Sequence, residues 1–414
     1  MKKNIITSVF IISTVPLLLI RCTKSPDDFL PKEPVEIEIT SEQVALIESE
    51  NSFAFDIFSK IIENEGIEKN IIISPLSISY ALSMALNGAN GETRDEMLEA
   101  LKVNGITPEE INDSYSKLTD ALLSVDERVM ITVANSVWSK EGFPVKQSFV
   151  DILEKYYDAE SHEFDVYDPQ TPDIINKWIE DNTNGLIKEM LDKLDPDVVM
   201  LLINAIYFKG MWKYQFDKSD TYDRPFYKNG DVSVKVPMMS QGANFKLYKG
   251  EDFMLAELPY GQGNFVMDII LPDDQNGINA ILPSITENAF NDCISRTVTI
   301  ETDLFLPRFK YTYKKSLVEI LKDMGMEKAF SEFADFSNIT DISIYISEVL
   351  HQAFIETNEE GTEAAAATVV VFNEALSGPG NLVFNADHPF IYIIREISTN
   401  SIIFMGLMAD PLAG

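Results

Sequence analysis

The sequence predicts a mixed α+β domain, and three observations predict it. Capped segments of helical period open the chain, a near-continuous apolar run stands at its middle, and short alternating segments separated by turn residues fill its second half. At 414 residues, with 45% hydrophobic and 10% aromatic content, the chain can bury one large core or two ordinary ones. Lys+Arg number 33 against Asp+Glu 66, a formal charge of −33. Binding nucleic acid through phosphates is thereby disfavoured, and the acidic surface mainly implies solubility.

Residues 1–21 read as an export signal: Lys2 and Lys3 precede an apolar run from Ile5 to Ile20, too short and too interrupted for a membrane span. Leu17-Leu18-Leu19-Ile20-Arg21-Cys22 resembles a bacterial lipoprotein signal, whose cysteine is lipidated and becomes the mature N-terminus. Arg21 departs from that pattern, which wants a small residue there. The expectation is an exported protein, a cell-surface or periplasmic lipoprotein or otherwise secreted. With Cys22 lipidated, Cys293 has no partner, reads as a small buried hydrophobe, and no disulfide is expected. Residues 22–40 are polar and acidic with Pro26, Pro31 and Pro34, a tether ahead of one domain at 41–414.

Ser41 is placed to cap a helix through Leu46, Phe53, Ile57 and Ile61 that Gly66 ends. Ile71-Ile72-Ile73 is a short buried strand, and Ser74-Pro75 opens a second helix through Ile78, Leu82 and Leu86. Helices follow around Ile111–Val125, Gln147–Tyr157 and Ile174–Thr183, with an alternating strand at Val129–Trp138. Met200 to Trp212 is almost uniformly apolar, as a central strand covered on both faces should be, with Asn204 its one amide. Phe253–Leu258 and Phe265–Leu271 form a hairpin through a Gly-rich turn, and Val298–Leu304 alternates. Two apolar strands, Leu382–Glu396 and Ile402–Leu407, close the chain.

The segment Glu359 to Leu376 has divided preferences. Its glutamates and Ala364, Ala365, Ala366 and Ala367 favour helix, whereas Val369, Val370, Val371 and Phe372 favour strand. At period two, one face carries Thr362, Ala364, Ala366, Thr368, Val370 and Phe372, all uncharged, while Glu363 points the other way and Glu374 lies at the far end. Such a face can enter a sheet without burying a charge. An Ala-rich surface helix followed by a loop is the competing reading.

His351 to Asn358 followed by Glu359-Glu360-Gly361-Thr362-Glu363-Ala364-Ala365-Ala366-Ala367-Thr368 resembles the reactive-loop hinge of inhibitory serpins. Ser74 to Thr93, Trp178 to Ile187, Met200 to Trp212, Leu304 to Phe309 and Leu382 to Leu407 resemble further serpin segments, so the likeness covers about residues 45–411. It implies three β-sheets, about nine helices and an exposed reactive loop at about 359–382. Ser74, Ser77, Asn204 and His351 would form the buried network across which the main sheet parts. Arg308, with Trp212 nearby, would pair with Glu359 at the loop's start.

The resemblance also implies the reactive bond: the spacing serpins keep from the hinge glycine, and back from the segment matching Phe384 to Phe390, lands on Ala375 both times, giving Ala375-Leu376, with Glu374 or Phe372 as second choices. The implied function is suicide-substrate inhibition of serine endopeptidases, elastase-like or subtilisin-like, by a monomer that needs no cofactor or metal. Inhibition of cysteine proteases, or a serpin fold cleaved as a plain substrate, are the alternatives. An enzyme is not expected: the histidines are His162, His351 and His388, without a Gly-x-Ser-x-Gly elbow or a zinc spacing.

Overall fold

The computed structural model describes residues 33–228, 232–362 and 381–413. The export signal, Cys22, the hinge from Glu363 to Thr368 and the candidate bonds from Phe372 to Leu376 lie outside the described residues.

Helix α1 (Ser41–Glu65) buries Leu46, Phe53, Ile57 and Ile61 on one face. Its cap is Thr40 rather than Ser41. Gln43, three residues on, accepts at its Oε1 from the Thr40 N–H at 2.9 Å and so closes a capping box that Ser41 could not make. Strand β1 (Ile71–Ile73) leads to α2 (Pro75–Gly88), where Ser74 caps and Pro75 takes the first turn. Helices α3 (Gly91–Ala100), α4 (Pro108–Ser124), α5 (Gln147–Tyr157) and α6 (Thr171–Asn182) follow, separated by strands β2 (Val129–Lys140) and β3 (Ala159–Phe164).

Strand β4 (Met200–Met211) is the apolar run, and β5 (Tyr222–Lys228), β6 (Val232–Lys249), β7 (Phe253–Pro259) and β8 (Phe265–Pro272) form a meander. Next come α7 (Ile278–Ile281), α8 (Glu287–Ser295), β9 (Val298–Pro307), β10 (Phe309–Ser316) and α9 (Val318–Asp323). The chain ends with β11 (Leu350–Thr357), β12 (Gly361–Thr362), β13 (Leu382–Asn385), β14 (Phe390–Glu396) and β15 (Ile402–Met408). The expected strand Leu382–Glu396 is thus two strands. Pro389 lacks a ladder donor, and across the break the chain leaves parallel pairing with β9 for antiparallel pairing with β8 and β15.

Nine α-helices are present among the described residues. Their strands connect as two sheets rather than three: a six-stranded sheet in the order β10-β11-β12-β4-β2-β3, and a nine-stranded one in the order β1-β15-β14-β8-β7-β6-β9-β13 with β5 on β6. The difference lies in β6. Over its length it pairs with β5 and β9, and its last four residues pair with β7, so one long strand joins what would otherwise be two sheets.

The two sheets meet at a pair of tyrosines. Tyr311 of β10 and Tyr392 of β14 share a hydroxyl hydrogen bond of 2.6 Å, and Tyr311 also donates to the Ile71 carbonyl at 3.0 Å. Tyr392 is fully buried, and its ring occupies the space opposite Gly406, its register partner on β15. A Cβ at Gly406 would lie 2.2 Å from the Tyr392 ring. Gly406→Ala should therefore displace Tyr392 and lower stability by about 1–3 kcal/mol through overpacking. A denaturant titration with an unshifted midpoint would show that the ring has room to move.

Candidate functional site

The site lies where the expected reactive loop leaves the six-stranded sheet. After β11 the chain turns back on itself: Asn358 N–H donates to the Gly361 carbonyl, Gly361 N–H returns to Asn358, and the Asn358 side chain accepts from Glu360 N–H at 2.9 Å. The two-residue β12 then sits between β11 and β4, with Thr362 opposite both Thr357 and Gly210 and Gly361 opposite Met211. Among the described residues β11 and β4 share no register pairs and are bridged only through β12.

Glycine is required at 361. Its φ is +153°, and an added Cβ would lie 2.1 Å from the Gly210 carbonyl oxygen. Thr362 is 4% exposed, and its hydroxyl meets the Tyr260 hydroxyl at 2.6 Å and that of Thr357 at 3.4 Å. Tyr260 in turn stacks on Trp212, with ring centroids 4.4 Å apart. Trp212 holds the turn twice, its backbone N–H donating to the Glu360 carbonyl and its indole N–H to the Asn358 carbonyl, each at 2.9 Å.

Three ion pairs flank this turn. Arg308 is the single residue between β9 and β10, and that corner aims its guanidinium at Glu359, with Nε 2.7 Å from Oε1. Thr221 donates its hydroxyl to the same carboxylate, and Phe216 N–H donates to the Glu359 carbonyl. Burial would raise the Glu359 carboxyl pKa, but hydrogen bonds from Arg308 and Thr221 outweigh it and hold the group below its usual range. Lys218 pairs with Glu360 at 2.5 Å and Lys310 with Glu356 at 2.7 Å.

The four residues expected to form one buried network fall into two. Ser74 N–H donates to His351 Nε2 at 3.1 Å, and Ser77 N–H to Ser74 Oγ at 3.2 Å, which ties α2 to β11. Asn204 instead donates to Asn135 Oδ1 at 2.7 Å, and Asn135 to the Tyr157 carbonyl, which ties β4 to β2 and α5. The reason is register: Asn204 lies directly opposite Asn135 on β2, so its amide is taken up within the β2–β4 pair.

Tyr260, Thr221 and Thr357 were not singled out from the sequence. A bulky aromatic inside Pro259-Tyr260-Gly261, where a hairpin turn needs none, was the available signal for Tyr260. The threonines carry none, since only the turn back through Glu359 brings them to the hinge.

A family model described as "Serpin (serine protease inhibitor)" matches residues 48–411, and the chain belongs to that family. Among its relatives, Iripin-3 of Ixodes ricinus is 35% identical over 346 residues, covering 82% of this chain and 88% of its own. Serpin B4 of Homo sapiens is 32% identical, covering 89% and 100%. The native-state crystal structure of a thermophilic serpin, tengpin, superposes with a TM-score of 0.81 at 33% identity, covering 92% of this chain and 98% of that one.

Burial holds the His351 imidazole down to about 4, against an ordinary value near 6.5. Because the unfolded chain takes up this proton first, the neutral ring's contribution to stability is complete above pH 6.5 and is lost as pH falls through 4. Protonation also removes the acceptor of the Ser74 N–H. Unfolding midpoints measured from pH 7 to pH 4 should fall more steeply in the native protein than in His351→Asn, and parallel curves would contradict this assignment.

Proposed function

We propose that this serpin is a suicide-substrate inhibitor of serine endopeptidases. The observation that carries this reading is β12: the first two residues of the inserting segment are already hydrogen-bonded between β11 and β4, in the position a further strand would extend. The sequence beyond them, from Glu363 to Thr368, offers only small uncharged side chains to the inward face. Nothing there opposes burial.

The proposed sequence of events starts when a protease takes the loop as an extended substrate and cuts it at Ala375-Leu376, with Glu374 and Phe372 as second choices for the cleaved residue. Its nucleophile then holds the new carboxyl end as an ester. The cut removes the loop's far attachment, and the strand lengthens from Thr362 down between β11 and β4, gaining ladder hydrogen bonds on both sides. About 15 residues at roughly 3.3 Å each make a strand near 50 Å long, enough to carry the bound protease toward the opposite end of the sheet. Insertion has to outrun hydrolysis of the ester. The chain supplies positioning and no catalytic group.

A small residue at 375 suits proteases with shallow pockets, so elastase-like or subtilisin-like enzymes are the proposed targets. The Cys22 motif supports an exported lipoprotein, with the membrane reached only through that lipid. A monomer suffices, since every group named in the site comes from one chain.

Mixing the protein with an elastase-like or subtilisin-like protease should give a complex that survives SDS. Thr362→Arg places a guanidinium where the threonine is buried against Tyr260, and should convert inhibition to plain cleavage. A complex that persists in this variant would overturn insertion, and clean cleavage of the native protein by such enzymes would favour the substrate alternative.

A further inference from the structure

Residues 33–40, expected to be the end of a free tether, are docked. Val35 donates its N–H to Asn264 Oδ1 at 3.0 Å and accepts from Asn264 Nδ2 at 2.5 Å, and Ile37 N–H donates to Ser398 Oγ at 3.0 Å. Ile37 and Ile39 pack on the core, whereas the Val35 side chain is 57% exposed. The segment therefore holds on by alternate side chains and by a two-way backbone pairing with one amide.

That amide is fully buried and belongs to the turn between β7 and β8, which also contains Tyr260. The turn contains two glycines in the left-handed region, Gly261 at φ +52° and Gly263 at φ +107°. It is closed from within by Tyr260 N–H to the Phe265 carbonyl and Gly263 N–H to the Tyr260 carbonyl, and is gripped from outside as well. Lys213 N–H holds the Pro259 carbonyl, Lys213 Nζ the Gln262 carbonyl, and Asp126 accepts from Gln262 N–H at 2.7 Å. Each of these partners lies in the folded body. Asn264 is the turn residue that hydrogen-bonds the N-terminal segment, while its own carbonyl accepts from Ile397 N–H at 2.8 Å and its amide donates to the Glu396 carboxylate behind it at 3.4 Å.

We propose that residues 33–40 are a strap that sets, through Asn264 and Tyr260, the seating of Thr362, and so how readily the cut loop starts to enter the sheet. The inference rests on the inhibitory reading above. With the strap docked, the Tyr260 hydroxyl and its stack on Trp212 hold β12 as a ready-made nucleus, and insertion proceeds from it. With the strap loosened, the turn gains freedom, Thr362 is seated a smaller fraction of the time, and hydrolysis of the ester overtakes insertion more often. The N-terminal segment is then a positioning element for the trap, connected to it through two residues.

Val35→Pro removes the N–H that Asn264 accepts while altering an exposed side chain, and Val35→Ala keeps that N–H. The first should raise the amount of inhibitor consumed per protease trapped by roughly two- to thirtyfold, the range of couplings carried through such networks, while the second leaves it unchanged. The effect of Val35→Pro should vanish in a Tyr260→Phe background. Equal consumption by Val35→Pro and Val35→Ala would overturn the strap, and an undiminished effect in Tyr260→Phe would overturn the route through Tyr260. If the native protein is cut without trapping, the inhibitory reading fails by itself. The strap is then judged by how fast the cut chain gains heat resistance: slower gain in Val35→Pro supports it, and equal rates overturn it.

Discussion

Gly361 lies so close to the Gly210 carbonyl that no side chain fits between them, and the architecture of the site depends on that contact. It brings a two-residue strand into register with β4 and leaves its other edge to Thr357 of β11. Everything else around the turn serves to keep it there. Trp212 grips two carbonyls of the turn, Tyr260 grips the first buried hydroxyl beyond it, and Arg308 is aimed from the corner where the chain passes from one sheet to the other. A glycine at this place is thus a packing requirement as much as a conformational one.

Charge is arranged around this turn against the trend of the chain. Acids outnumber bases two to one overall, yet Glu356, Glu359 and Glu360 each have a cation. The outer two pairs involve exposed lysines, and such pairs contribute roughly 0–1 kcal/mol. Glu359 differs because it is 2% exposed. Left unmatched, its carboxylate would carry a desolvation cost of several kcal/mol, so Arg308 and Thr221 make its burial tolerable rather than adding a large net gain.

Much of the fold could be read from local chemistry. Gly66 marked the end of α1 and Ser74-Pro75 the start of α2, the uniform apolar run marked β4, and alternation marked β2 and β9. What escaped was set by contacts distant in sequence. Thr40 displaced Ser41 as a cap because of a partner three residues on, and β6 joined two sheets because one strand is long enough to pair on both. Asn204 was assigned to the serines through a family likeness, whereas its register partner on β2 is Asn135, whose amide oxygen it reaches directly. The docked segment 33–40 looked like tether because its composition is polar. Only Ile37 and Ile39, two residues apart, hinted at a packed edge.

The chain on either side of the reactive segment is fixed in two different sheets. Thr362 stands inside the six-stranded one, while Leu382 begins β13, an edge strand whose parallel pairing is with β9 alone. Covalent continuity therefore ties β12, inside one sheet, to β13, at the rim of the other. On the inhibitory reading proposed above, the safety catch would be a matter of topology rather than of any single strong bond.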